Sequence, residues 1–228
     1  MSASSSKAVE RTLLLMQNLK STSKITLDLR RLTTKGHHSD QRAILGDLLI
    51  SGATDDLSEK VLEQTDIIFR EEQKNRKAIP FADLLRYASP KIQPRSGTAV
   101  VVWRGDIREL KVDAIVNAAN AYGLGCFVPH HKCIDNLIHR AAGPRLRREC
   151  ARAMETRGSL LTAGTPPIVT AGYFLHCKKV LHVTGPQLPR HQGQASAKQE
   201  ANLVAVGALC PFVERNTREY NTKEVMSD

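Results

Sequence analysis

The sequence predicts an α/β layer fold preceded by a small helical region, and three observations carry that expectation. From residue 98 onward, short β-branched runs alternate with helix-like runs, the texture of strands and helices layered around a largely parallel sheet. Before residue 90 the apolar residues recur instead at helical spacing. Between the two lies Ser89-Pro-Lys-Ile-Gln-Pro-Arg-Ser-Gly97, whose two prolines and one glycine punctuate the chain.

Residues 1–38 are Ser-rich and basic, with Glu10 and Asp28 as their acids, and read as a lead-in without fixed structure. Within it, Arg11-Thr-Leu-Leu-Leu-Met-Gln-Asn-Leu-Lys20 is amphipathic when wound as a helix, as in a mitochondrial transit peptide or as the first helix of the domain. Ser39 to Ser51 reads as a helix capped by Ser39, with Ile44, Leu48, Leu49 and Ile50 as its apolar face and Gly52 as its end. A second helix starts near Ser58, presents Leu62, Ile67, Ile68 and Phe69, and continues through the charged run 70–77 until Pro80 interrupts. These stripes are too short for a large independent core, so the helical region, residues 39–95, is expected to pack on the α/β part of the chain. In that α/β part, residues 96–228, strands are expected at Ala99–Trp103, Ala114–Asn117 and Lys179–Thr184, with a helix near Ile134–Ala142.

With 228 residues, 41% hydrophobic and 25% charged, the chain has the balance of one or two globular domains. No apolar run approaches the roughly 18 residues that a membrane-spanning helix needs. The five cysteines show no disulfide-framework spacing and suit a reducing compartment, so an intracellular, cytoplasmic location is expected, with the basic N-terminus leaving a mitochondrial one open. A net charge of +10 raises nucleic-acid binding as a candidate. The densest basic patch, Arg145, Arg147, Arg148, Arg152 and Arg157, nevertheless fits one helix and its end, where a solvated face explains it more simply. With no RNA-module signature, nucleic acid is possible as a partner but not favoured.

The chemistry concentrates after residue 103. In Trp103-Arg-Gly-Asp-Ile107 a strand ends, Gly105 lets the backbone turn, and Asp106 sits where ligands bind in open α/β sheets. Asp106 can accept from an adenine amino group, or it can cap the turn toward Arg108. Asn117 and Asn120 bracket a strand end, where their amides suit sugar hydroxyls or a turn equally well. Gly123 and Gly125 permit close backbone approach to a diphosphate. Cys126, His131 and Cys133 then place two thiols and one imidazole within eight residues, a set that suits zinc and leaves a fourth position open for water or a substrate oxygen. His130 is a rival ligand by position. Asp135 can orient water beside the metal, cap the helix that begins there, or do both.

Taken together, Trp103-x-Gly-Asp-Ile107, Val116-Asn-Ala-Ala-Asn120, Gly125-Cys-Phe-x-Pro-x-His-x-Cys-Ile-Asp-Asn-x-Ile-His139 and His182-Val-Thr-Gly-Pro-Gln187 resemble the zinc-dependent macrodomains of bacteria and fungi. The resemblance covers about residues 99–190, and the helical region is similar to the N-terminal extension of those proteins. It implies a three-layer α/β/α macrodomain that binds ADP-ribose and hydrolyses mono-ADP-ribose from modified protein side chains. It further implies that Asp106 contacts adenine, that Asn120 contacts the distal ribose, and that Cys126, His131 and Cys133 bind zinc while His130 does not. Asp135 and Asn120 become the catalytic pair, with Ile107, Asn117 and Gly125 completing the ligand-binding set.

One part of the family pattern is missing. The second glycine-rich phosphate loop, of the Ser-Thr-Gly-Val-Phe-Gly kind, cannot be found. Glu200–Val213 reads as the expected helix in altered form, broken by Pro211, and Lys223–Met226 begins something strand-like just before Asp228. The macrodomain is therefore expected to be incomplete at its C-terminus, with an exposed sheet edge and weaker phosphate binding, each lost hydrogen bond to charged oxygen being worth about 1.5–3 kcal/mol. Reduced or absent activity is the resulting expectation. Two other functions stay open: a non-catalytic ADP-ribose or nucleotide reader, and a basic nucleic-acid-binding protein with structural zinc.

Overall fold

A computed structural model describes residues 3–16, 38–51, 57–87 and 101–185 of the chain. Helix α1 (Ala3–Met16) falls inside the segment read as an unstructured lead-in, and the first half of the amphipathic stretch is indeed helical. Composition misleads here because two of the hydroxyl residues, Ser5 and Thr12, are themselves buried, and the Thr12 hydroxyl donates to the carbonyl of Ala8 at 2.7 Å. Ala8, Val9, Leu13 and Met16 join Leu45, Leu48, Leu62 and Phe69 in one core, so α1 belongs to a packed helical unit. Each large aliphatic side chain buried in this way contributes about 1.5–3 kcal/mol. Residues 17–20 lie outside the described segments.

Helix α2 (His38–Ile50) starts one residue before the expected cap, which places Ser39 inside its first turn; Gly52 lies outside the described residues. Helix α3 (Glu59–Asn75) begins as expected, with the Ser58 hydroxyl accepting from the backbone N–H of Val61 at 3.4 Å. It ends before Pro80, which instead sits in β1 (Ile79–Pro80), paired in parallel with β2 (Leu110–Lys111); one turn, α4 (Phe81–Leu84), comes directly after β1.

Strand β3 (Ala114–Ala118), helix α5 (Ile134–Ala142) and strand β5 (Lys179–Val183) form close to where the sequence places them. Strand β4 (Ile168–Ala171) has no counterpart among the expected elements. Among the described residues the larger sheet is therefore mixed rather than largely parallel: β5 is central, parallel to β3 and antiparallel to β4. The expected strand at 99–103 lies partly outside the described residues, and within them only Val101 makes an isolated bridge. Gly143, at φ +85°, ends α5 and turns the chain directly into α6 (Pro144–Arg157). Ile138, Ala141, Leu146 and Cys150 on these two helices cover Ile115, Ile168 and Val180 of the sheet, giving the second core.

Three arginines of the patch on α6 do not form the solvated face that composition implied, whereas Arg152 is exposed. Arg145 pairs with Asp66 at 2.9 Å and with Glu59, while Arg148 pairs with Glu59 and donates to the carbonyl of Leu57. Arg147 is buried, donating to the carbonyls of Leu49 (3.3 Å) and Ile50 (2.9 Å) at the end of α2. From α5, Arg140 adds an ion pair to Asp47. The expected docking of the helical region on the α/β part is thus realised largely through arginines. Among the described residues no helix is long and apolar enough to cross a membrane.

Candidate functional site

The candidate site occupies the loop from β3 to α5 and the first turn of α5. Asn120 shapes its first half, donating from Nδ2 to the carbonyl of Gly125 at 3.0 Å and accepting at Oδ1 from the N–H of Tyr122 at 3.0 Å. Gly125 has φ +84°, and a Cβ there would stand 2.7 Å from Nε2 of His139, so both backbone conformation and space require glycine.

The second half brings Cys126, His131 and Cys133 together, with their ligand atoms all within 4.8 Å of one another and Cys126 Sγ 3.5 Å from His131 Nδ1. Bond lengths of about 2.0–2.3 Å at tetrahedral angles place neighbouring zinc ligands about 3.5 Å apart, so the donor types and their spacing fit zinc. Cys133 caps α5, its sulfur accepting from the N–H of Asn136 at 3.4 Å. Burial pushes its thiol upward, the Asn136 N–H lowers it, and Cys126 raises it again. His130 turns the other way, with Nε2 3.6 Å from Asp47, and does not join the cluster.

Residues that local pattern does not single out hold this loop. Asn136 donates from Nδ2 to the carbonyl of Val128 at 2.6 Å, Arg140 donates to that of Pro129 at 2.7 Å, and Arg147 donates to that of Cys126 at 3.2 Å. The Arg147 guanidinium also lies 4.4 Å from the centre of the Phe127 ring. These carbonyls are backbone groups, and the two arginines are visible in the sequence only as charge.

Asp135 is almost fully buried, and its carboxylate points into the protein, where Oδ1 accepts from Asn117 Nδ2 at 2.7 Å. Burial raises its pKa, the Asn117 hydrogen bond lowers it, and Arg147 lowers it further. Asn117, expected to line the ligand site, is instead completely buried: β3 alternates, and Asn117 shares the inward face with Ile115. Asp106 makes the cap that was its alternative reading, accepting from the Arg108 N–H at 2.9 Å, and its carboxylate also takes both ends of the Arg108 guanidinium. The Arg108 hydrogen bonds hold Asp106 below the usual carboxylate range. Ile107 lies in the 3₁₀ turn that Asp106 caps and packs against the second core.

Residues 116–216 match the Macro domain family model. The described part of the matched segment, residues 116–185, has the mixed strand-and-helix α/β organisation expected from the sequence. The chain is 44% identical over 135 residues to a probable bifunctional ADP-ribose hydrolase/ADP-ribosyltransferase of Fusarium oxysporum f. sp. cubense, covering 59% of this chain and 22% of that protein. It is 46% identical over 99 residues to a protein-ADP-ribose hydrolase of Staphylococcus aureus (strain COL), covering 43% and 37%, and 55% identical over 85 residues to one of Treponema medium, covering 37% and 32%. The chain therefore spans 22% to 37% of the length of these three relatives. The Oceanobacillus iheyensis macrodomain with ADP superimposes with a TM-score of 0.41 at 29% identity, over 50% of this chain and 56% of that one.

Proposed function

We propose that this macrodomain chain binds ADP-ribose and hydrolyses mono-ADP-ribose from modified proteins, using zinc held by Cys126, His131 and Cys133. The observation that carries the proposal is the convergence of those three side chains at the start of α5, in the loop that Asn120 and Gly125 shape and beside Asp135. The Staphylococcus and Treponema relatives, named as protein-ADP-ribose hydrolases, support the substrate class. Zinc bound there supplies Lewis-acid stabilisation of negative charge developing on oxygen.

The chain's own residues do the remainder. Asn120, exposed at the head of a loop whose turns are set by the buried glycines at 123 and 125, is the candidate contact for the distal ribose. Asp135, anchored at one oxygen by Asn117, is the candidate for aligning attack on the anomeric carbon, and for that role its almost fully buried carboxylate has to be uncovered at the other oxygen when substrate binds. Asp106 is the candidate adenine contact, and for that role its carboxylate has to exchange one Arg108 hydrogen bond for an adenine amino group.

The test uses the full, zinc-loaded chain and a mono-ADP-ribosylated protein. The expected result is one zinc per chain and release of ADP-ribose, with both lost in Cys133→Ala. Full turnover by Cys133→Ala overturns the zinc role, and stoichiometric ADP-ribose binding without release identifies a reader instead.

A further inference from the structure

Behind Asp135 runs a continuous polar connection across all three strands of the sheet. The register sets Asn117 on β3 directly opposite His182 on β5, and both side chains are fully buried. Asn117 Nδ2 lies 2.7 Å from Asp135 Oδ1 and 3.0 Å from His182 Nδ1. On the far side of the imidazole, His182 Nε2 lies 3.0 Å from the hydroxyl of Thr170 on β4 and 3.6 Å from the sulfur of Cys150 on α6.

We propose that His182, backed by Thr170, is a positioning residue that fixes the amide of Asn117 and through it the carboxylate of Asp135. A primary amide has two N–H donors on one atom, and a carboxylate only accepts. Asn117 therefore satisfies both neighbours at once in one arrangement: one N–H to Asp135 and the other to a bare Nδ1 on His182. That arrangement puts the imidazole proton on Nε2, where Thr170 accepts it. The opposite tautomer would turn an N–H of His182 toward the Asn117 amine, and flipping the amide to meet it would set a carbonyl against the Asp135 carboxylate. One proton on β5 thus decides the aim of a side chain on α5. The burial that holds His182 neutral, with its pKa lowered to about 4, agrees with this state. His139, Cys150 and His182 also bring ligand atoms within 4.8 Å of one another, and a metal there is the competing occupant, because it would claim the nitrogen that donates to Thr170.

The role presumes the hydrolase reading, so the experiment pairs a kinetic readout with one that needs no activity. In the full, zinc-loaded chain, His182→Phe removes the acceptor while keeping a ring, His182→Gln keeps an acceptor oxygen, and Thr170→Val removes the partner of Nε2 at nearly constant volume. The expected result is a fall of about 100-fold in kcat for His182→Phe, the scale that small misplacements of reacting groups produce, with KM nearly unchanged. Partial recovery is expected in His182→Gln, and a smaller loss in Thr170→Val. Nitrogen-15 spectra of the wild-type chain are expected to show the His182 proton on Nε2. A folded His182→Phe with undiminished kcat overturns the proposal, as does a proton on Nδ1 or a second zinc equivalent that survives in Cys126→Ser. If His182→Phe does not fold, Thr170→Val carries the kinetic test, and unchanged kcat there counts against the relay. A wild-type chain that releases no ADP-ribose defeats the hydrolase reading, and the tautomer alone then decides whether the Asn117–His182–Thr170 connection exists.

Discussion

Arg147 ties two distant parts of the chain at one point: its Nη2 donates to the carbonyl of Cys126 at 3.2 Å while its Nη1 donates to that of Ile50 at 2.9 Å. The first anchors a proposed zinc ligand, and the second anchors the end of α2. Replacing it by Met keeps an unbranched stem but leaves the carbonyls of Leu49, Ile50 and Cys126 without this donor. The expected cost is about 2–4 kcal/mol in urea unfolding, since unsatisfied buried acceptors cost about 1–3 kcal/mol each and part of the loss is recovered by relaxation. Zinc retention against a chelator should fall about 10- to 100-fold, as for outer partners of metal ligands. Undiminished retention would show that the loop holds its shape without Arg147.

The contrast between Arg147 and Cys126 also shows what could be read from the chain. Cys126, His131, Cys133, the Ser58 cap and the α5 helix are legible because each depends on residues within one loop or a turn or two. Arg145, Arg147 and Arg148 are not, because their partners in the helical region lie 79 to 98 residues away in sequence, and charge alone cannot distinguish a solvated helix from a clamp. Asn117 looks like a turn residue from its neighbours, whereas the β3–β5 register makes it the buried partner of His182. Strand β4 escapes notice because a four-residue strand after Pro166 and Pro167 offers little periodicity.

Gly125→Ala tests the loop from the opposite direction. The substitution sets a Cβ 2.7 Å from His139 Nε2 in a backbone at φ +84°, so strain and overpacking act together. The expected destabilisation is about 2–4 kcal/mol, measured by the urea midpoint. Movement of His139 to make room would also disturb the neighbouring Asp135, whose Oδ1 is 3.5 Å from the same nitrogen. A variant as stable as the wild type would mean that the loop relaxes around Gly125.

The buried histidines make stability depend on pH. Burial lowers His182 to about 4 and His139 well below the usual imidazole range, whereas both titrate near 6.5 when unfolded. The unfolded chain therefore binds more protons below pH 6.5. Their contribution is complete above that pH and is lost on descending below about 6.5, for His182 until about 4, at up to about 1.4 kcal/mol per pH unit per histidine. Asp135, raised by burial, opposes this at the acid end of the window. Urea midpoints of the Cys126→Ser/Cys133→Ser chain, in which the proposed zinc ligands no longer contribute, should fall between about pH 7 and about pH 5. A flat profile would mean that the two imidazoles are not held neutral.

Arg108 sets the final test, because it occupies the carboxylate proposed to meet adenine. Its side chain takes both Asp106 oxygens, with Nη2 at 2.6 Å, while its backbone N–H makes the cap independently at 2.9 Å. Arg108→Ala therefore removes the competitor and leaves the cap in place. If Asp106 accepts from the adenine amino group, ADP-ribose should bind several-fold more tightly to the variant, a change of about 1 kcal/mol, and ribose 5-phosphate, which lacks the base, should not respond. If Asp106 only caps its turn, calorimetry will return the same affinity for ADP-ribose with and without Arg108. Asp106→Ala separates the same alternatives by losing affinity for ADP-ribose in the first case, whereas in the second any change should appear in stability alone.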